Sequence, residues 1–121
     1  MNRIALVFTL LLIASAADAQ QPACARKAGG AFEDIACATA ALKMAEHDLQ
    51  GTYSRLLSLL SPPEAAALRE AQNAWLRFAA ANAQFVEVRE GTGSSGRLVS
   101  ANSREKLTRE RIEELNSWLP R

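Results

Sequence analysis

A four-residue break between two long apolar stripes constrains the fold of this chain more than any other feature. The break is "SPPE", from Ser61 to Glu64. Ser61 can cap a helix, Pro62 suits a first helical position, and Glu64 stands three residues after the serine as in a capping box. One helix therefore ends and another begins with almost no loop, which predicts an antiparallel αα-hairpin.

Both stripes recur every three or four residues, which is the spacing of one helix face. They predict a first helix over residues 32–60 and a second over residues 63–88. The stripe residues are Leu42, Ala45, Leu49, Tyr53, Leu56 and Leu60 on the first, and Leu68, Ala71, Trp75, Phe78, Asn82 and Phe85 on the second. We therefore expect Trp75, Phe78 and Phe85 to lie in a core between the helices.

A third helix is predicted over residues 100–118, from the spacing of Thr108, Ile112, Leu115 and Leu119. Before it, "REGTGSSGR" at residues 89–97 holds three Gly and two Ser, which predicts a flexible, exposed loop. No segment alternates as a strand does. The fold class expected is all-α, a small up-down-up bundle of three long helices with a short disulfide-tied N-terminal segment.

The first 19 residues have the pattern of a secretory signal peptide. Arg3 precedes an apolar run, and Ala17-Asp18-Ala19 fits an A-x-A cleavage site, with Ala14-Ser15-Ala16 as a second possible site. A transmembrane anchor is the alternative, but the run is shorter than the ~20 residues that span a bilayer. We expect cleavage after Ala19 and a soluble protein in the periplasm or outside the cell.

Removing the first 19 of 121 residues leaves 102, enough for one small domain over residues 20–121. The formal net charge is +1, with both signs interspersed. A nucleic-acid partner would call for a basic patch, and the sequence has none.

Cys24 and Cys37 are the two cysteines, and an exported protein would join them in a disulfide. A reactive thiol pair is the alternative, but it would favour C-x-x-C spacing. A metal site is not expected, because His47 is the only histidine and no Cys/His cluster accompanies it.

The sequence shows no arrangement typical of catalysis. The carboxylate pairs Glu33-Asp34 and Glu113-Glu114 are adjacent, and neighbours in sequence point different ways on a helix. The G-x-G-x-x-G string from Gly91 to Gly96 follows a predicted helix rather than a strand, so it does not indicate a nucleotide site. We expect no enzyme, no cofactor and no catalytic residue.

The Gly/Ser loop has two readings, a plain connector or a recognition loop on a rigid scaffold. In the second, serine and arginine side chains would donate hydrogen bonds and the glycines would admit a partner closely. The candidate partner-binding residues are Gly91, Gly93, Ser94, Ser95, Gly96 and Arg97.

Five segments, taken in order, carry a resemblance to a known family. They are Cys24 with Cys37, "AEHDLQGTY" leading into "LLSLLSPPE", "LREAQNAWLRF", "GTGSSG" and "LTRERIEEL". The chain thus resembles the LprI-type lysozyme-inhibitor N-terminal domain family, small exported bacterial domains, from Cys24 to about Leu115. The fingerprint residues of this resemblance are Tyr53, Gln72, Trp75, Phe78, Thr108 and Arg111.

The chain departs from the family's usual pattern at several positions. Gln50 stands where the family usually has Asn, and Ala79-Ala80 replace Arg-Asp. Two further cysteines that relatives commonly carry, near Ala83 and Ser103, are absent. Their joint loss is what we expect if they pair with each other in relatives.

The resemblance implies an envelope protein that binds and inhibits lysozyme without catalysis of its own. The near-neutral charge gives no long-range attraction to a basic enzyme. The mechanism expected is therefore local, with Ser94 or Arg97 meeting the catalytic carboxylates. The alternative is an envelope interaction or structural module with a different protein partner.

Overall fold

The computed structural model describes Cys24 and residues 31–120, and in this part of the chain it contains three helices and no strand. They are α1 (Ala31–Leu57), α2 (Pro62–Glu90) and α3 (Ser94–Ser117). The predicted all-α class is confirmed. The predicted signal peptide and most of the disulfide-tied N-terminal segment lie outside the described residues. No described helix is long and apolar enough to cross a bilayer.

The connection between α1 and α2 follows from the "SPPE" segment. The last α1 residues give way to tight turns, in which the N–H of Leu59 donates to the carbonyl of Leu56 at 3.0 Å. Ser61 then adopts an extended backbone, and its N–H donates to the Glu64 carboxylate at 2.9 Å. The Ser61 hydroxyl donates to the same carboxylate. These hydrogen bonds lower the pKa of Glu64 and fix the start of α2.

Helix α3 lies between the other two. It packs along α1 and along α2, whereas α1 and α2 hardly approach each other. It runs parallel to α1, since Arg109 pairs with Asp48 at 2.7 Å and Arg55 donates to Asn116. The up-down-up order is thus present, but the prediction that the short connection makes α1 and α2 packed neighbours was wrong. A short connection brings only the helix ends together, and α3 occupies the space between their lengths.

The hydrophobic core lies towards the α1–α2 connection. Its centre is Leu49 and Leu56 of α1 with Leu115 of α3. Around this centre pack the partly buried residues Tyr53, Leu60, Leu68, Trp75, Ile112 and Leu119. Trp75 therefore lies against the core, as predicted.

Two of the three aromatic residues predicted for the α2 core face solvent instead. Phe78 is 54% exposed and Phe85 58% exposed, while α2 buries Ala79 completely. The prediction was wrong because α2 is apolar on more than one face, and spacing alone does not choose between faces. The structure places the small Ala79 inward, which lets α2 approach α3 closely.

The α2–α3 contact beyond this point is also made by small side chains. The Ser100 hydroxyl donates to the carbonyl of Ala83 at 2.8 Å, and the Asn82 amide donates to the Ser103 hydroxyl at 3.4 Å. These are the positions near which relatives are expected to carry two more cysteines. Their closeness across the helix pair fits a cross-link in relatives, and here hydrogen bonds occupy the same place.

A disulfide joins Cys24 to Cys37 in α1, with the two Cα atoms 5.5 Å apart. The predicted pairing is confirmed. It fixes the described N-terminal residue to the first third of α1.

Candidate functional site

The connection between α2 and α3 is shorter than the sequence indicates. Helix α2 ends at Glu90 and α3 begins at Ser94, so Gly91 to Gly93 alone form the turn. Gly91 has a φ of +95°, in the left-handed region that favours glycine, and its N–H donates to the carbonyl of Val88. The prediction of a flexible loop over residues 89–97 was wrong, because Ser94 to Arg97 form the first turn of α3. Ser and Gly mark helix starts as well as loops.

Gly96 is buried because α3 begins directly against the end of α2. We call this junction, residues 91–97, the α2–α3 corner. A Cβ at Gly96 would collide with the carbonyl group of Gly91 and lie 2.8 Å from the carbonyl oxygen of Glu87. Of the six candidate partner-binding residues, Gly96 thus serves the packing of the corner. The other five, Gly91, Gly93, Ser94, Ser95 and Arg97, are exposed.

The exposed side of the corner is rich in hydrogen-bond donors. The first turn of α3 contains no acidic residue, and no side chain caps it. Its first N–H groups therefore point outwards with the positive end of the helix dipole. Arg97 and Arg89 stand beside them and pair with no carboxylate among the described residues. Glu90, the last residue of α2, is the acidic residue nearest in sequence to Arg89 and Arg97. The corner therefore presents N–H groups and two arginines to solvent.

A second candidate surface is the groove that opens where α1 and α2 diverge over α3. Its volume is about 360 Å³. An ion pair between Glu46 and Arg104, at 3.0 Å, ties α1 to α3 at one end. The lining residues are Glu46, Leu49, Gln50 and Tyr53 of α1, Gln72, Asn73, Trp75 and Leu76 of α2, and Arg104 and Thr108 of α3. Such a mixture of aromatic rings and amides suits a polar ligand or an extended peptide segment.

Four of the six fingerprint residues line this groove: Tyr53, Gln72, Trp75 and Thr108. Gln72 is buried, and its side-chain oxygen accepts a hydrogen bond from Nε of the buried Arg111 at 3.1 Å. Arg111 also donates to the Glu114 carboxylate at 2.7 Å. Arg111, the fifth fingerprint residue, is thereby held by both partners.

Thr108 is fully buried and lies at the bottom of the groove. Its hydroxyl donates to the carbonyl of Arg104 at 2.8 Å. Phe78, the sixth fingerprint residue, points away from the groove to solvent. Sequence reasoning missed the groove, although the polar Thr108 at a stripe position of α3 was a signal that this face meets a polar site.

No three His, Cys, Asp or Glu side chains come together as a metal site within the described part of the chain. Both surfaces present hydrogen-bonding and charged side chains, and the groove adds apolar ones.

The fold and the fingerprint network define a small helical domain, and comparison with known families places it in one of them. Residues 24–115 match the family model described as lysozyme inhibitor LprI. Since this is more than half of the chain, the protein belongs to the LprI family. Comparison with curated proteins and with solved structures gives no significant match.

Proposed function

We propose that this protein binds lysozyme and inhibits it, as an exported protein of the bacterial envelope without catalytic activity of its own. The single observation that supports this most is the family match, which runs from Cys24 through almost the whole of α3. The proposal includes a signal peptide at residues 1–19, cleaved after Ala19, and delivery to the periplasm or the outside of the cell.

The α2–α3 corner is the proposed contact surface, because its exposed donors and its arginines complement the carboxylates of a lysozyme cleft. Lysozyme cleaves its glycan between two carboxyl groups that flank the scissile bond in a cleft. The exposed donors of Ser94, Ser95 and Arg97 would meet the carboxylates there through charge-assisted hydrogen bonds.

Local contacts have to supply the affinity, because the formal net charge of the chain is only +1. Long-range steering would raise the association rate mainly for an acidic inhibitor of a basic enzyme. We therefore expect inhibition to depend on the corner residues far more than on the overall charge of the protein.

The first prediction concerns the double variant Ser94→Ala with Arg97→Ala. Both side chains are exposed, so the melting temperature should stay nearly unchanged. Loss of one or two hydrogen bonds to charged groups should raise the inhibition constant roughly 10- to 100-fold. The measurement is the rate at which lysozyme clears a bacterial cell-wall suspension, with the purified protein in molar excess.

A matched control is Asn73→Ala, an exposed groove residue of α2, which should leave inhibition unchanged. Unchanged lysis rates with several lysozyme classes would refute the proposed function. Equal inhibition by the wild type and the double variant would keep the function but move the contact surface away from the corner.

The groove favours a second candidate function, an envelope interaction module for a different protein partner. Its supporting observation is that four fingerprint residues line a single opening of about 360 Å³. In that case, pull-down from a periplasmic extract should recover a non-lysozyme protein. Asn73→Ala should weaken its capture, and the Ser94→Ala and Arg97→Ala double variant should not.

A further inference from the structure

Helix α2 carries a second apolar stripe on one flank, beside the face that packs on α3. We call this the outer stripe. Its members lie four and three residues apart in strict alternation, none is charged, and all are exposed. They are Ala67, Ala71, Ala74, Phe78, Ala81, Phe85 and Val88. The two Phe are more than half exposed, and Val88 is 65% exposed.

This alternation is the a/d pattern of a coiled coil, which places apolar residues along a seam between two helices. The inner face of α2 already packs through Ala65, Gln72 and Ala79. Seven consecutive a/d positions on the outer face extend over about 33 Å of helix at 1.5 Å per residue. A pattern of that length indicates that another helix lies along it.

The order of small and large side chains in the outer stripe is self-complementary. When a second α2 is laid antiparallel with Phe78 on the two-fold axis, Ala71 faces Phe85 of the second copy, and Ala67 lies one residue from the position opposite its Val88. Ala74 lies one residue from the position opposite Ala81, so every large residue outside the axis lies against a small one. A parallel pairing would instead set Phe on Phe at one end and Ala on Ala at the other, which cannot keep one interhelical distance.

We propose that two copies of this chain associate through the outer stripe of α2, antiparallel, with Phe78 at the two-fold axis. Such an interface is isologous and closes on itself, as most homodimer interfaces do. The proposal stands independently of lysozyme binding.

A hollow beside the alanine end of the outer stripe supports this register. It has a volume of about 400 Å³, and its apolar lining is Leu56, Leu60, Ala67, Leu68, Ala71, Leu115 and the exposed Trp118, with Glu64, Arg111 and Glu114 as its charged members. In the antiparallel pairing, Phe85 of the second copy comes opposite Ala71, at the edge of this hollow. The exposed Phe85 ring of one copy thus has a largely apolar hollow to enter on the other.

The flanks of the outer stripe do not oppose the pairing. On its solvent side stand Glu70, Arg77 and Gln84, and Glu70 lies 3.9 Å from Arg77 in the same chain. The charges of Glu70 and Arg77 cancel each other, and Gln84 is uncharged. Two half-exposed rings, one valine and four alanines give roughly 500 Å² of contact per copy. The dimer then buries roughly 1,000 Å², near the lower limit for a specific interface, so it should form and dissociate with concentration.

Sedimentation equilibrium of the purified protein tests this, since a dimer should appear as concentration rises. Phe78→Asp and Phe78→Lys each place two like charges at the axis, so each should weaken the dimer at least about 100-fold. An equimolar mixture of the two variants should restore the dimer, because residue 78 faces itself and the mixed pair is oppositely charged. Met44→Asp, at an exposed apolar residue of α1, is the matched control and should leave the dimer unchanged.

Phe78 is exposed, so both variants should retain the helical circular dichroism and melting temperature of the wild type. A protein that stays monomeric up to about 1 mM would overturn the proposal. A dimer that survives Phe78→Asp, or single variants that do not recombine when mixed, would overturn it too.

Discussion

At the scale of single residues, two helical glycines in the same fold have opposite roles. Gly96 is buried against the carbonyl groups of Gly91 and Glu87, and its missing side chain lets α3 start beside the end of α2. Gly51 lies exposed in α1, and a Cβ there would meet nothing within 4 Å. In a helix interior, glycine is less favourable than alanine by about 1 kcal/mol unless packing requires it.

Gly96→Ala should therefore destabilise the protein by about 2 kcal/mol, because backbone atoms rather than flexible side chains must move. Gly51→Ala is the matched control and should stabilise it by about 1 kcal/mol. Urea denaturation followed by circular dichroism measures both changes. A Gly96→Ala protein as stable as the wild type would mean that the corner has room that the structure does not show.

Sequence reasoning recognises the residues of the fingerprint but not the contacts that they make. Trp75 could be predicted inside because it shares a stripe with Leu68, and it does pack on the core. Phe78 could not be placed, because α2 has two apolar faces and the spacing does not say which of them packs on α3. The bond from Arg111 to Gln72 joins residues 39 apart in sequence, and no local pattern indicates such a pair.

At the scale of the helix, the "SPPE" segment behaves as its residue types predict. Ser61 is the N-cap, Pro62 begins α2, and Glu64 accepts hydrogen bonds from the Ser61 N–H and hydroxyl. These bonds form with the ionised carboxylate and hold the pKa of Glu64 below its ordinary value of 4.5.

A group with a depressed pKa adds stability above its unfolded pKa, and the contribution disappears as the pH falls through the folded value. Glu64→Gln should therefore lower the melting temperature at pH 7, and its difference from the wild type should shrink below about pH 4.5. Thermal melts of both proteins across pH 3 to 7 measure this. Glu113→Gln, at an exposed carboxylate of α3, should cause no loss at pH 7. A Glu64→Gln difference that does not change with pH would contradict the capping role.

Helix α3 shows where helix prediction from composition fails. Its start was predicted at residue 100, but it begins at Ser94, within the Gly/Ser segment. Tertiary packing outweighs the poor helix propensity of glycine there, because Gly96 permits a contact with α2 that a larger residue would prevent.

At the scale of the whole molecule, helix number and direction could be predicted and helix neighbours could not. Stripe spacing and two breaks give three helices in up-down-up order. Which helix lies between the other two depends on side-chain volumes along their whole lengths, and α3 is central because α1 and α2 both bury their inner faces on it.

The Cys24–Cys37 disulfide acts on the whole molecule by restricting the unfolded chain. It closes a loop across a sequence separation of 13 residues. In the chain-entropy account, such a loop contributes roughly 3 kcal/mol. Cys24→Ser with Cys37→Ser should therefore lower the free energy of unfolding by up to about that amount, as measured by urea denaturation, and should leave the helical content unchanged. Free thiols found by alkylation of the native, unreduced protein would contradict the bond.

The central position of α3 also determines when the chain can fold during its synthesis. Helices α1 and α2 emerge from the ribosome first, yet they hardly contact each other. The core that they share includes Leu115, and the side chain of Gln72 accepts its hydrogen bond from Arg111. Leu115 and Arg111 both lie near the C-terminal end of the chain. The growing polypeptide can therefore complete its core only after its last helix has been made.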